Sequence, residues 1–477
     1  MPGPDLLRPV EVRVPAQSIA RFREVVGDEA FAGWRELIDA AAVALRGRVV
    51  WQINSTARGG GVAEMLGAQT GLARDADIDA RWMVVAGTPA FFTVTKRLHN
   101  RLHADAGDGG LLGENERVIY EQVLRENAAE LAAVVRSGDV VVMHDPQTAG
   151  LAPPLRRRGA TVIWRCHIGH AALDDPLVEE AWAFLRPYLS AAHATVFSRS
   201  AYVPAFLRRR PGGRRATGHR PVLSQEPGSL PRGGEGDPRP RGAHRGPVER
   251  NGLRLSSRRR LSGPGGPRPT RRTSADTPLV AQVSRWDRLK DHLGLMRAFA
   301  GLEAAEAAGA HLVLAGPSVT GVADDPDGPA VLAELTAAWR GLPHEARRRI
   351  QIASLPMVDP QENAAMVNAL QRHAVVIVQK SLQEGFGLTV TEAMWKGTPV
   401  VASAVGGIVD QIDDGVDGVL LDNPQAPGDV AAALRRLLGS DDDRARLGTA
   451  GRERVRRHGL AVRLLADDLD LIRDLLA

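Results

Sequence analysis

The feature that most constrains the fold is a recurrence. Short apolar runs alternate with polar loops and helical patterns in both halves of the chain. In the first half the runs are 48–54, 81–87, 139–144, 161–165 and 195–198. In the second half they are 278–284, 311–316, 350–354, 375–379 and 398–403. Strands separated by helical stretches point to parallel sheets with crossover helices. The expected fold class is therefore α/β, with two Rossmann-like, doubly wound domains. A length of 477 residues agrees, being too great for one core. The expected domains are 1–206 and 276–477.

Ligands of such sheets bind outside the carboxyl ends of the strands. His144, Asp145, Arg165 and His167 all fall at strand ends and are candidate site residues. The run ending at Asn54 leads into a loop containing Gly59, Gly60 and Gly61, then a helical stretch. Three glycines let backbone approach a ligand closely. No Lys-Ser/Thr pair follows them, so the loop is not a Walker A. It also lacks the spaced glycines of a dinucleotide fingerprint. A tight turn with no ligand stays open as the alternative.

The second half adds charge. Arg285 and Lys290 follow the run 278–284, one a planar fork and the other a point charge, and together they suit a pyrophosphate. Further on stands Glu384-Gly-Phe-Gly-Leu-Thr-Val-Thr-Glu392. It places a carboxylate before a glycine-bearing turn and a second one inside the helix that follows. Backbone N–H groups at that helix start can take phosphate or sugar oxygens. The two carboxylates can accept from sugar and ribose hydroxyls. Read without the rest of the chain, the same stretch is also compatible with an ordinary strand–loop–helix bearing two solvated acids. A retaining glycosidase would need its two carboxyls about 5–5.5 Å apart, which this spacing does not establish. A phosphate clamp also has no use in simple hydrolysis.

Residues 208–272 break the pattern. They hold 18 Arg, 13 Gly and 10 Pro against 4 acids, a local charge of +14. The rest of the chain then carries −9, although the whole carries +5. The high pI thus belongs to one segment and does not support nucleic-acid binding by the domains. Aromatics are only 4%, too few for base-stacking surfaces. The segment offers no periodic apolar face. Its composition changes abruptly after Phe206 and recovers near Asp276, in a chain whose makeup implies a GC-rich gene. We read 207–275 as a shifted frame or disordered segment, with a natural basic linker as the alternative. Early proteolysis there is the corresponding expectation.

The single cysteine, Cys166, excludes an internal disulfide and fits a reducing compartment. No nucleophile-elbow signal accompanies it, so a Cys–His protease fits poorly. No zinc-type spacing is present, and no metal site is expected. The N-terminus shows no signal-peptide pattern and no run is long enough to span a bilayer, so a cytoplasmic protein without membrane partners is expected.

Taken in order, these motifs resemble the GT-B glycosyltransferases of retaining family 4. Asn54-Ser-Thr-Ala-Arg-Gly-Gly-Gly-Val-Ala-Glu-Met-Leu66, His144-Asp-Pro-Gln-Thr148, Trp164-Arg-Cys-His167 and Val283-Ser-Arg-Trp-Asp-Arg-Leu-Lys-Asp291 resemble, more narrowly, the trehalose glycosyltransferring synthases. The resemblance covers about 20–206 and 276–477 and fails between them. It implies two domains facing a central cleft, with the last helix packing back on the first domain. It also implies reversible transfer from an NDP-glucose to glucose, giving α,α-1,1-linked trehalose with retained configuration.

By the same resemblance, Arg285 and Lys290 would bind the diphosphate and stabilise the leaving NDP. Glu392 would hold the ribose hydroxyls. Glu384 would hold donor-glucose hydroxyls, with the amides of Phe386, Gly387 and Leu388. Gly60 and Gly61 would approach a substrate from the other domain, and His144 and His167 would line the reacting sugars. Arg285, Lys290, Glu384 and His167 form the expected catalytic set; Asp145 and Arg165 are expected to bind substrate. No resident cofactor is expected, since NDP-glucose enters as co-substrate; a Mg²⁺ requirement is left open. The expected partners are small sugars and sugar nucleotides, with a homodimer carried as an expectation. A trehalose phosphorylase using glucose 1-phosphate, or a silent sugar-nucleotide binder, stays open as the alternative.

Overall fold

The computed structural model describes residues 8–57, 61–208, 276–319 and 327–477. Gly60 lies outside the described residues, and so does the Arg/Gly/Pro-rich segment from residue 209 to 275.

The first half is built on six strands. They are β1 (Val10–Val12), β2 (Val50–Asn54), β3 (Ala80–Val84), β4 (Val140–His144), β5 (Thr161–Cys166) and β6 (Ala194–Phe197). Their order in the sheet is β1-β3-β2-β4-β5-β6. Only β1 runs antiparallel, pairing Val10 with Val84. All five residues of β4 are buried, as expected of a strand covered on both faces. Its side chains divide by the period of two. Val141 and Met143 join Trp51, Ile53 and Trp164 on one face. Val140 and Val142 join Val50, Ile163 and Ala194 on the other.

That second face is closed partly by the far end of the chain. The last helix, Ala461–Leu476, buries Leu465, Leu469 and Ile472 against Ile38 and Ala41 of the helix Asp28–Ala44 and Leu72 of the helix Gly61–Asp75. Each such side chain contributes about 1.5–3 kcal/mol by leaving water.

The second half has six parallel strands: β7 (Leu279–Val283), β8 (His311–Pro317), β9 (Ile350–Leu355), β10 (Ala374–Gln379), β11 (Val400–Ser403) and β12 (Val419–Leu421). Their order is β12-β11-β10-β7-β8-β9. In each sheet the chain order reverses beside the first parallel strand, between β2 and β4 and between β7 and β10. Crevices form at such switch points. The two crevices face each other, and the candidate site lies between them. Among the described residues no helix is long and apolar enough to cross a membrane.

Candidate active site

The turn after β10 carries the first carboxylate. Gly387 has φ 91, a left-handed conformation that ends the turn and caps the helix Leu388–Trp395. Gly385 sits against the other half of the molecule. A Cβ there would stand 2.7 Å from the His167 carbonyl oxygen, so only glycine lets the turn pack so closely. Glu384 is thereby fixed where the halves meet. Ser381 Oγ donates to Glu384 Oε2 at 3.2 Å. Glu392, one turn into the helix, accepts from Gln371 Nε2 at 3.2 Å. Gly61, at the start of its own helix, packs on Leu388 across the cleft. A Cβ at Gly61 would come within 2.6 Å of Leu388 Cδ1.

The cationic pair comes from the loop after β7. Lys290 Nζ lies 2.6 Å from Glu384 Oε2, with both side chains largely buried. Its backbone is held as well, since Gln282 Nε2 donates to the Lys290 carbonyl at 2.7 Å. Arg285 approaches Asp287 at 3.6 Å. Burial works to raise the Asp287 carboxyl, but Lys290 and Arg285 outweigh it and hold the group well below the usual carboxylate range. Asp291, next to Lys290, has φ 45 and caps the helix His292–Ala300 by accepting from Gly294 N at 2.9 Å. It also pairs with Lys380, which is buried at the end of β10. The loop bearing Lys290 is thus tied to the strand that leads to Glu384.

His144 and His167 form the opposite wall. His144 Nδ1 is 2.9 Å from His167 Nε2, and His144 Nε2 is 2.8 Å from Gln52 Oε1. The Gln52 oxygen can only accept, so His144 carries its proton on Nε2. Its Nδ1 then accepts from His167 Nε2–H, which leaves His167 Nδ1 as an acceptor. Burial pushes both imidazoles well below their ordinary value, so both are neutral. Asp145 holds this wall in place. Its Oδ1 accepts from the His167 amide at 2.8 Å, and its backbone stands at φ 62, a strained angle for a non-glycine residue. Burial raises its carboxyl to about 7.

The structure brings most of these residues to one cleft of about 900 Å³. Gly61, His144, Asp145 and His167 line it from the first half. Arg285, Lys290, Glu384, Phe386, Gly387, Leu388 and Glu392 line it from the second. Arg165 corrects the sequence reading, for it does not line the cleft. It shares with Ile163 the face of β5 that the last helix covers, and its NH1 pairs with Asp468 at 2.7 Å. The sequence reading also passed over Lys96, His99 and His103, which line the cleft from the helix Pro89–Leu102 and the residue after it. Their i, i+3, i+7 spacing puts them on one helical face, which was the available signal.

Two Rossmann-like sheets with a shared cleft define the GT-B fold, an architecture of glycosyltransferases. The fold agrees with a trehalose-phosphate synthase structure from Burkholderia vietnamiensis, at TM-score 0.65 and 16% identity, covering 90% of this chain and 99% of that one. The family model "Trehalose synthase, N-terminal domain" matches residues 52–204, and "Glycosyl transferases group 1" matches 268–454. The trehalose synthase of Rubrobacter xylanophilus is 34% identical over 96% of this chain and 97% of its own length. A trehalose phosphorylase of Pleurotus sajor-caju is 27% identical over 77% of this chain but only half of its own length. The chain belongs to the trehalose synthase family of glycosyltransferases.

Proposed function

We propose that the protein transfers glucose from an NDP-glucose to free glucose, reversibly and with retention, giving α,α-trehalose. The observation that carries this reading is the pairing of Lys290 with Glu384 in the same cleft as the His144–His167 wall. A phosphate-binding cation, a sugar-binding carboxylate and neutral imidazoles share one cleft. In the proposed pose Lys290 and Arg285 bind the diphosphate. As the bond from the sugar C1 to the phosphate oxygen breaks, charge grows on the diphosphate, and fixed cations stabilise that charge most in the transition state. A hydroxyl of the acceptor glucose forms the new C1–O bond on the same face, and its proton passes to the departing phosphate oxygen. Glu384 and His167 Nδ1 accept hydrogen bonds from sugar hydroxyls and hold the reacting carbon in place. Glu392 accepts from the ribose.

The full chain is incubated with ADP-, GDP- or UDP-glucose and ¹³C-labelled glucose, and the disaccharide is read by NMR. Labelled α,α-trehalose is the expected product. Glucose 6-phosphate as acceptor, and trehalose with inorganic phosphate, are run in parallel. Product only with glucose 6-phosphate, or release of glucose 1-phosphate, would replace this reading.

A further inference from the structure

The mechanism so far holds the diphosphate from the second half alone. Across the cleft, Lys96, His99 and His103 project from one face of the helix Pro89–Leu102 and the residue beyond it, and all three line the same cavity. This face looks onto the loop that bears the cationic pair. Arg285, Asp287 and Lys96 act on His99, and Lys290, Glu384, Asp287 and His170 act on His103. The two rings touch edge to face at 4.9 Å. His103 is 4% exposed, and its Nδ1 has no hydrogen-bond partner. A buried ring nitrogen without a partner is costly to keep. A neutral ring facing a lysine gains its complement when an anion arrives between them.

We propose that Lys96, His99 and His103 form a second wall of the leaving-group site, with His103 contacting the diphosphate from the first half. This rests on the donor reading above and adds to it. Burial and Lys290 keep His103 neutral, held down to about 4. A bound diphosphate places negative charge beside the ring and favours the imidazolium, which then donates to a phosphate oxygen. Binding of NDP therefore takes up a proton.

The test is calorimetric titration of ADP, GDP and UDP into the full-length protein and into His103→Gln, His103→Asn, Lys96→Met and Arg285→Ala, each first checked for folding by circular dichroism. His103→Gln and His103→Asn should each weaken binding of the preferred NDP about tenfold, and Lys96→Met by a similar factor, with glucose affinity unchanged. The advantage of the unaltered protein over His103→Gln should grow as pH falls from 8 to 6, because only the former gains a proton on binding. The difference between the two proteins cancels the phosphate's own titration. If Arg285→Ala loses NDP affinity while the Lys96 and His103 variants keep it, the second wall is wrong and the donor reading stands. A loss confined to glucose would also overturn the proposal. If the unaltered protein binds none of the three nucleotides, the donor reading itself fails.

Discussion

Lys290 and Glu384 neutralise each other at 2.6 Å, yet the proposed chemistry needs Lys290 on a phosphate. The pair is useful because it fixes both side chains before substrate arrives. A donor sugar then takes the Glu384 oxygens and a diphosphate takes the ammonium. Removing either partner strands the other in a largely buried place. Lys290→Ala or Arg285→Ala should lower kcat/KM about 30- to 1000-fold, or roughly 2–4 kcal/mol, in steady-state assays on folded protein. Near-normal rates in both variants would remove the clamp. Glu384→Gln should cut turnover more than NDP affinity, and Glu392→Gln should do the reverse, as calorimetry and rates together would reveal.

Protonation adds a second effect at the same scale. Burial holds His144 and His167 far below 6.5, and brings His103 and His292 to about 4. Unfolding lets each take up a proton below about pH 6.5, so stability falls as pH drops from there towards 4. At about 1.4 kcal/mol per unit, His103 and His292 each account for about 3 kcal/mol. Asp145, raised to about 7, acts in the opposite sense over a similar span and offsets about one histidine. The balance predicts a melting temperature that falls between pH 7 and pH 5. Equal melting at both values would mean that these imidazoles are already charged in the fold.

At the level of elements, the last helix is what makes the first domain whole. Its Asp468 accepts from Gln69 Nε2 and Arg165 NH1, both at 2.7 Å, while Leu465, Leu469 and Ile472 fill the sheet face. Arg165 is 3% exposed along its side chain, so losing Asp468 would leave a buried charge alone. Asp468→Ala should cost about 3–5 kcal/mol, and Leu469→Ala about 2–5 kcal/mol, by denaturant unfolding. A change below about 1 kcal/mol in both would show that the helix docks only loosely.

The same helix marks where sequence reading stops. Apolar runs such as Val140–His144 announce themselves, because a strand covered on both faces has no polar residues to interrupt it. The turn from Glu384 to Glu392 was equally legible, since its glycines are local requirements. Arg165 was misplaced because its partner lies 303 residues away, and no nearby pattern says which face of β5 is covered. Lys96, His99 and His103 went unread because an i, i+3, i+7 stripe is also what a solvated helix face shows; only the second domain turns that stripe into a cleft wall. β1 went unseen for a simpler reason: three residues with Val10 and Glu11 exposed give too short an alternation to read.

For the whole molecule, the cleft works only while its two walls stay in register. One contact between the halves is suited to that task. Arg199 Nε meets Asp410 Oδ2 at 2.7 Å and its NH2 meets Oδ1 at 3.4 Å, a forked pair that is partly buried. The guanidinium lies over the Tyr202 ring at 5.6 Å. Asp410 neighbours Gln411, whose amide donates to the Phe386 carbonyl and whose oxygen accepts from Thr391 at 2.6 Å. The strap is therefore two residues' reach from the turn that carries Glu384. Arg199→Ala and Asp410→Ala should each raise the KM for glucose and lower turnover about tenfold, because a forked ion pair of this kind contributes roughly 1–2 kcal/mol. The double variant should be no worse than either single one, since both remove the same contact. If the two losses add instead, Arg199 and Asp410 serve separate purposes, and the register of the cleft is kept by the backbone packing of Gly385 on His167.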